Sequence, residues 1–192
     1  MKMLSALVTA AFCIVSIGIQ AQNETPKGFS KGNITLPGNT IVEGYIKDNL
    51  RSNGTIVFFT AENSGRKNYN ANDLMAVQVD STRFLCIKGD FFRVISEGEI
   101  CFLQKASNAS NQPVYNGTEA LFVKGTDGQV NDYFFYNRQQ ELLKLLTRKN
   151  KNEIIAGTFT NCTAAIASAD HAGADLAQLR QAVDIYNQRS QK

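Results

Sequence analysis

The sequence predicts an α+β fold, an antiparallel β-rich body followed by two to three C-terminal helices. Three observations carry this. Between Asn33 and Tyr136, short runs rich in β-branched and aromatic residues alternate with Gly, Pro, Asn and Asp, the pattern of strands joined by tight turns. After Tyr136 the apolar period lengthens from two to near 3.6, as on amphipathic helices. Strand and helix patterns do not alternate, so βαβ units are excluded, and the body is a meander, a rolled sheet or a sandwich.

The elements follow in order. Residues 1–21 read as a signal peptide. Lys2 gives a positive start, residues 3–19 are apolar, and Ile19 and Ala21 suit the −3 and −1 positions of a cleavage site. Cleavage after Ala21 would remove Cys13 and leave Gln22 as the first residue. Cys13 follows Phe12 rather than a small residue, which argues against lipidation there. Residues 22–32, "QNETPKGFSKG", are polar with Pro and Gly and read as a flexible lead-in.

The β body covers 33–136. Pro37-Gly38 suits the centre of a type II turn, because Pro fixes one φ and Gly supplies the positive one. "TIVEGYIKD" and "TIVFFT" are separated by the turn "RSNG", and "NSGRK" is a further hairpin tip. "LMAVQV", "RFLCIK", "FFRVIS" and "EICFLQK" make a dense β block, followed by a loop over 106–113. "EALFVK" and "QVNDYFFY" flank "GTDG", whose Asp127-Gly128 is a hairpin signal. In "DYFFY", Tyr133 and Phe135 fall on one face of a strand and Phe134 and Tyr136 on the other. Both faces being aromatic predicts that helices cover one side and the sheet core the other. Residues 137–192 form the helical segment. "NRQQELLKLLTRK" aligns Leu142, Leu145 and Leu146; "FTNCTAAIASA" aligns Phe159, Cys162 or Thr163, Ile166 and Ala169; "ADLAQLRQAVDIYNQ" aligns Leu176, Leu179, Val183 and Tyr186. Helices this short are not stable alone, so they pack on the sheet.

Composition narrows the function classes. The net charge of +3, or +2 once Lys2 is removed, gives no single-sign field and disfavours nucleic acid as a partner. After the leader, no apolar run is long enough to cross a bilayer as a helix. Cys86, Cys101 and Cys162 remain, an odd number that excludes a disulfide scaffold. A meander through "RFLCIKGDFFRVISEGEICFLQK" puts Cys86 and Cys101 on outer strands with one strand between them. That spacing is about 9–10 Å, beyond disulfide reach, so no bond is expected between them. Closing the first hairpin at Gly89-Asp90 pairs Cys86 with Arg93; a three-residue loop pairs it with Phe92. The second hairpin puts Val94 opposite Cys101. At least one of the two cysteines is expected to be buried.

Catalytic constellations are weak. His171 is the only histidine, so a Cys–His hydrolase would have to join it to Cys162; a solvated loop histidine is the simpler role. Glu97 and Glu99 flank Gly98 at a hairpin tip, and Asp170 and Asp175 bracket an inter-helix turn where capping suffices. The cysteines lack paired zinc-ligand spacing, no Gly-rich loop joins a strand to a helix, and "GTDGQVND" lacks the ligand series of a calcium loop. The basic stretch over 144–152 reads as a solvated helix end. No cofactor and no metal are expected.

The order of features, a leader ending in Ala-Gln, the strand around Gly44-Tyr45-Ile46, the hairpin "FFRVISEGEICFLQK" and a helix ending near Ile185-Tyr186-Asn187, resembles small secreted or envelope proteins of Bacteroidota that carry no assigned function. The resemblance implies export to the periplasm, the outer membrane or the exterior. It also makes Ser81, in "DST", a candidate for O-glycosylation, against a plain β-turn. The sequence thus points to an exported, non-catalytic module acting through protein or cell-envelope contacts. The alternatives are a binding protein for an apolar or glycan ligand, and a carboxylate or Cys162–His171 hydrolase.

Overall fold

The computed structural model describes residues 25–108, 113–116, 119–122, 125–170 and 175–189. The expected leader over 1–21, the first residues of the lead-in and His171 lie outside the described residues. Strands β1 (Ser30–Thr35), β2 (Ile41–Asn49), β3 (Thr55–Phe59) and β4 (Lys67–Asn70) form one meander, with a single-turn helix α1 (Leu50–Asn53) between β2 and β3. Strands β5 (Ala76–Val79), β6 (Thr82–Ile87), β7 (Asp90–Ser96) and β8 (Ile100–Lys105) form a second. Strand β5 pairs with the free edge of β1 and fuses the two meanders. After a separate two-stranded hairpin, β9 (Pro113–Asn116) and β10 (Glu119–Phe122), the chain returns as β11 (Tyr133–Asn137) against β8, then β12 (Leu142–Leu146) against β11. The ten-stranded sheet is ordered β12-β11-β8-β7-β6-β5-β1-β2-β3-β4, antiparallel throughout. Helices α2 (Lys151–Thr158), α3 (Thr163–Asp170) and α4 (Leu176–Arg189) complete the α+β fold.

Pairing parity divides the sheet into two faces. The front face carries Ile34, Ile46, Ile56, Phe58, Val77, Phe84 and Phe91 at one end, in one apolar cluster with Leu50 of α1 and Leu74. At the other end it carries Ile100, Phe102 and Phe135, under Ile155, Phe159, Ala165, Leu179, Val183 and Tyr186 of the helical layer. The back face carries Ile87, Phe92, Cys101, Leu103 and Phe134. The aromatic alternation of "DYFFY" is therefore satisfied on both sides. Phe135 stacks towards Phe159, with ring centroids 5.3 Å apart, and Phe134 meets Phe92 edge-on at 5.2 Å.

The first end of the sheet curls over its own front face. Gly32 and Gly44 are paired across β1 and β2 on the concave side. A Cβ on Gly32 would come within 2.0 Å of the Gln78 carbonyl oxygen, and one on Gly44 within 2.3 Å of that of Phe59. Only residues without a side chain permit this approach. The curl brings α1 back towards the segment that precedes β11, where Arg51 Nη2 donates to Asn131 Oδ1 at 3.2 Å.

Several expectations are corrected. Leu142–Leu146 is a strand, not a helix. "LLKLL" fits both periods, and the open edge of β11 decides: all five residues of β12 pair with it. Asp127-Gly128 does not join β10 to β11; β10 pairs with β9, and β11 with β8. Strand β1 begins at Ser30, inside the expected lead-in, because residues 30–32 pair with β2. "RSNG" includes most of α1 rather than a bare turn, and Pro113 opens β9 instead of closing a loop.

The meander β6-β7-β8 is present, but its register differs. Lys88 (φ 49°) and Gly89 (φ 85°) form the two-residue turn, so Ile87 faces Asp90 and Cys86 faces Phe91, as two successive positive φ values require. A bulge between Val94 and Ser96 pairs Val94 with Leu103 instead of Cys101, and Ile95 packs against the helix-covered cluster. The "PGN" turn matches expectation: Asn39 N–H donates to Leu36 C=O at 3.1 Å and Gly38 has φ 86°.

Helix α4 is fixed to the sheet by polar contacts as well as apolar ones. Asp175 Oδ1 accepts from Ala177 N–H at 2.9 Å, an N-cap bond. Ser96 Oγ donates to Asp184 Oδ1 at 2.5 Å. The Asn187 amide accepts from Ile100 N–H at 3.0 Å and donates to Ile100 C=O at 2.9 Å, replacing a missing strand neighbour. A Cβ on Gly98 would lie 2.3 Å from the Asn187 amide. Asn187→Ala orphans two backbone groups and is expected to cost about 1–3 kcal/mol in urea unfolding. Gly98→Ala displaces the same amide, so the double variant should cost less than the sum of the two singles.

Candidate functional site

Two charged groups of the β6-β7-β8 meander point to its back face. Asp90 opens β7 and Lys105 closes β8, and alternation puts both on the side of Phe92 and Leu103. Both side chains are 0% exposed, with Lys105 Nζ 3.2 Å from Asp90 Oδ2. A pair this deep is stable only if its remaining valences are met. The Lys105 ammonium also donates to the carbonyls of Thr126 (2.8 Å), Asp127 (3.2 Å) and Gly128 (3.2 Å). Asp90 Oδ2 accepts from Thr126 N–H at 2.9 Å and from its hydroxyl at 2.7 Å, and Oδ1 accepts from Ser107 Oγ at 3.3 Å. Ser107 Oγ in turn accepts from Phe91 N–H at 2.8 Å. This arrangement clamps "GTDG" onto the sheet.

On the front face the same hairpin borders an open cleft of about 390 Å³ at the mouth of the curl. Asp48, Arg51 and Ser52 line it on one side, Arg93, Gln104 and Asn131 on the other, over an apolar floor that includes Phe84 and Ala106. Arg93 is exposed and makes no hydrogen bond or ion pair among the described residues. Among the described residues, the Arg51 side chain donates to Asn131. Gln104 Nε2 donates to Tyr133 Oη at 3.1 Å and to Asn131 C=O at 3.4 Å, which fixes that wall. Asp48 Oδ1 accepts from Leu50 N–H at 2.8 Å and so holds the start of α1. The cleft thus gathers guanidinium donors, amides and one carboxylate from four separate chain segments.

The residues singled out by sequence lie elsewhere. Glu97 does not face Glu99 across a cavity; it pairs with Arg138 and, at 3.5 Å, with Arg83. Arg138 Nε also donates to Cys101 Sγ at 3.2 Å. Burial alone would lower Arg138, but the neighbouring Cys101 sulfur and Glu97 hold it above its ordinary value. Cys162 is buried in the helix-covered cluster. Cys86, Cys101 and Cys162 are free thiols, and Cys86 and Cys101 lie on opposite faces. Ser81 sits exposed at the β5–β6 tip beside Asp80, whose φ is 49°. Among the described residues, no group of three or more His, Cys, Asp and Glu is placed to hold a metal ion, and no helix is long and apolar enough to cross a membrane. Sequence reasoning missed the cleft, because Arg51 and Arg93 share no local spacing. No protein-family model matches the chain, and no curated protein or solved structure matches it either.

Asp90→Asn leaves the Lys105 charge without a counter-ion and should cost about 3–5 kcal/mol in urea unfolding. Replacing both, as Asp90→Leu with Lys105→Met, should recover part of that loss. Burial pushes the Cys86 thiol from 9.0 up to about 12. Above the lower value the unfolded chain sheds a proton that the folded chain retains, so stability should fall as pH rises from there. Cys86→Val should flatten that fall in a pH series of thermal melts. An unmodified mass for the exported chain would exclude a sugar on Ser81.

Proposed function

We propose that this chain is an exported binding module that acts through contacts with a protein or cell-envelope component, and that the Arg51–Arg93 cleft is its working surface. The observation that carries the reading is the convergence of two exposed arginines and three side-chain amides on one open cleft. Buried and partly buried polar groups elsewhere have structural duties: Asp90 and Lys105 clamp a loop, and Asp184 and Asn187 fix α4. The front face of the curl is filled by Ile34, Ile56, Phe58 and Phe91, which favours recognition at the rim over an apolar ligand inside. Cys162, the thiol of the hydrolase alternative, is enclosed by the helical layer.

Arginine favours interfaces because its fork makes several hydrogen bonds with little reorganisation. The test is to incubate purified residues 22–192 with envelope fractions of the native host, comparing the parent with Arg51→Glu/Arg93→Glu. Retention should fall at least about tenfold, the effect of losing one charge-assisted contact. Equal retention would remove the cleft from consideration. Export is tested separately by N-terminal sequencing of the mature protein, which should begin at Gln22.

A further inference from the structure

Resting on that binding reading, we infer that the cleft accepts a hydroxylated small ligand bearing one oxyanion, of the class of sugar acids and sugar phosphates. The donors are unequally distributed. Arg93 projects from the front face of β7 between its pairing neighbours Phe84 and Gln104, both uncharged. Arg51 approaches from α1, a segment brought there only by the curl of the sheet. Lys105 also borders the cleft, but its ammonium lies on the back face against Asp90 and adds no free charge. The wall formed by Arg93, Gln104 and Asn131 therefore presents positive charge without an acidic partner among the described residues. Guanidinium forks match the planar oxygens of a carboxylate or phosphate.

Across the cleft stands Asp48. Its Oδ1 is engaged by Leu50 N–H, which orients the carboxylate and leaves Oδ2 as an acceptor. A second anion there would be repelled, whereas a hydroxyl would donate to it. Asn49 and Ser52 add polar capacity on the same side, and Phe84, Leu50 and Ala106 supply an apolar floor. The volume of about 390 Å³ lies in the range of small-ligand sites. One anionic end, a hydroxylated body and an apolar face are the properties this lining selects.

The experiment is a titration of residues 22–192, observed through backbone amide NMR shifts, with glucuronate, glucose 6-phosphate, inorganic phosphate and neutral glucose. Glucuronate or glucose 6-phosphate should shift the amides of Arg51, Phe84, Arg93, Gln104 and Asn131. Whichever binds distinguishes a carboxylate ligand from a phosphate one. Inorganic phosphate should bind more weakly than glucose 6-phosphate, since it lacks the hydroxylated body. Arg93→Gln should weaken binding at least about tenfold, and Arg93→Lys should lose less, keeping the charge without the fork. Unchanged thermal melts would show that these surface variants are folded. Glucose binding as well as its charged derivatives, affinity unchanged in Arg93→Gln, or no shift at the cleft with any probe would each overturn the ligand class. Envelope retention that depends on the arginines while no probe binds would overturn this inference alone and leave the binding module standing.

Discussion

The contact between Asp90 and Lys105 is the constraint around which the larger half of the structure is arranged. An ammonium and a carboxylate enclosed without water are costly unless each is surrounded by partners. Here the partners come from three places in the chain: the start of β7, the end of β8 and the backbone of residues 126–128. Meeting those valences dictates where the chain must be after its β9–β10 excursion. Once Thr126 and Gly128 are held, β11 begins beside β8, since Lys105 N–H donates to Asp132 C=O at 2.9 Å and Asn131 N–H to Lys105 C=O at 2.9 Å. Strand β11 then supplies Phe134 and Phe135, one to each face.

The sheet covers its front face in two ways. Where it is flanked by helices, α2, α3 and α4 bury Phe102 and Phe135. Where no helix follows, the sheet covers itself, using the paired Gly32 and Gly44 to tighten the curl. The outer strand of the curled end, β4, reads "KNYN" and presents Lys67, Asn68 and Asn70. Polar edges of this kind oppose pairing with another chain. The cleft is a by-product of the same curl, since α1 meets β7 and β8 only because the sheet bends.

Most of the architecture was legible in local pattern. Strands such as "RFLCIK" and "FFRVIS" alternate cleanly, and the α3 and α4 repeats are unambiguous. The failures occurred where a non-local partner made the decision. "LLKLL" is too short to separate a strand from a helix, and the edge of β11 settled it. Asp127-Gly128 carries a good turn signal, yet its carbonyls are held by a lysine distant in sequence. A signal for that was present: Lys105 shares parity with Cys101 and Leu103, so a charge had to enter an apolar face. The cleft had no comparable signal, because Arg51 and Arg93 come to one cleft only after the strands from β2 to β7 have been ordered.

The clamp has one further consequence. Ser107 and Thr126 both bind Asp90, so the chain leaves and re-enters the sheet at nearly one point. The β9–β10 hairpin lies between two chain ends that are held to each other through Asp90. The entropy of closing such a loop grows only logarithmically, about 0.6 kcal/mol for each doubling of length, well below the strength of a buried, fully bonded ion pair. The β9–β10 hairpin is therefore an interchangeable cassette. Lineages could lengthen, shorten or replace this segment while the ten-stranded sheet kept its register, and an engineer could graft a recognition loop there for the same reason.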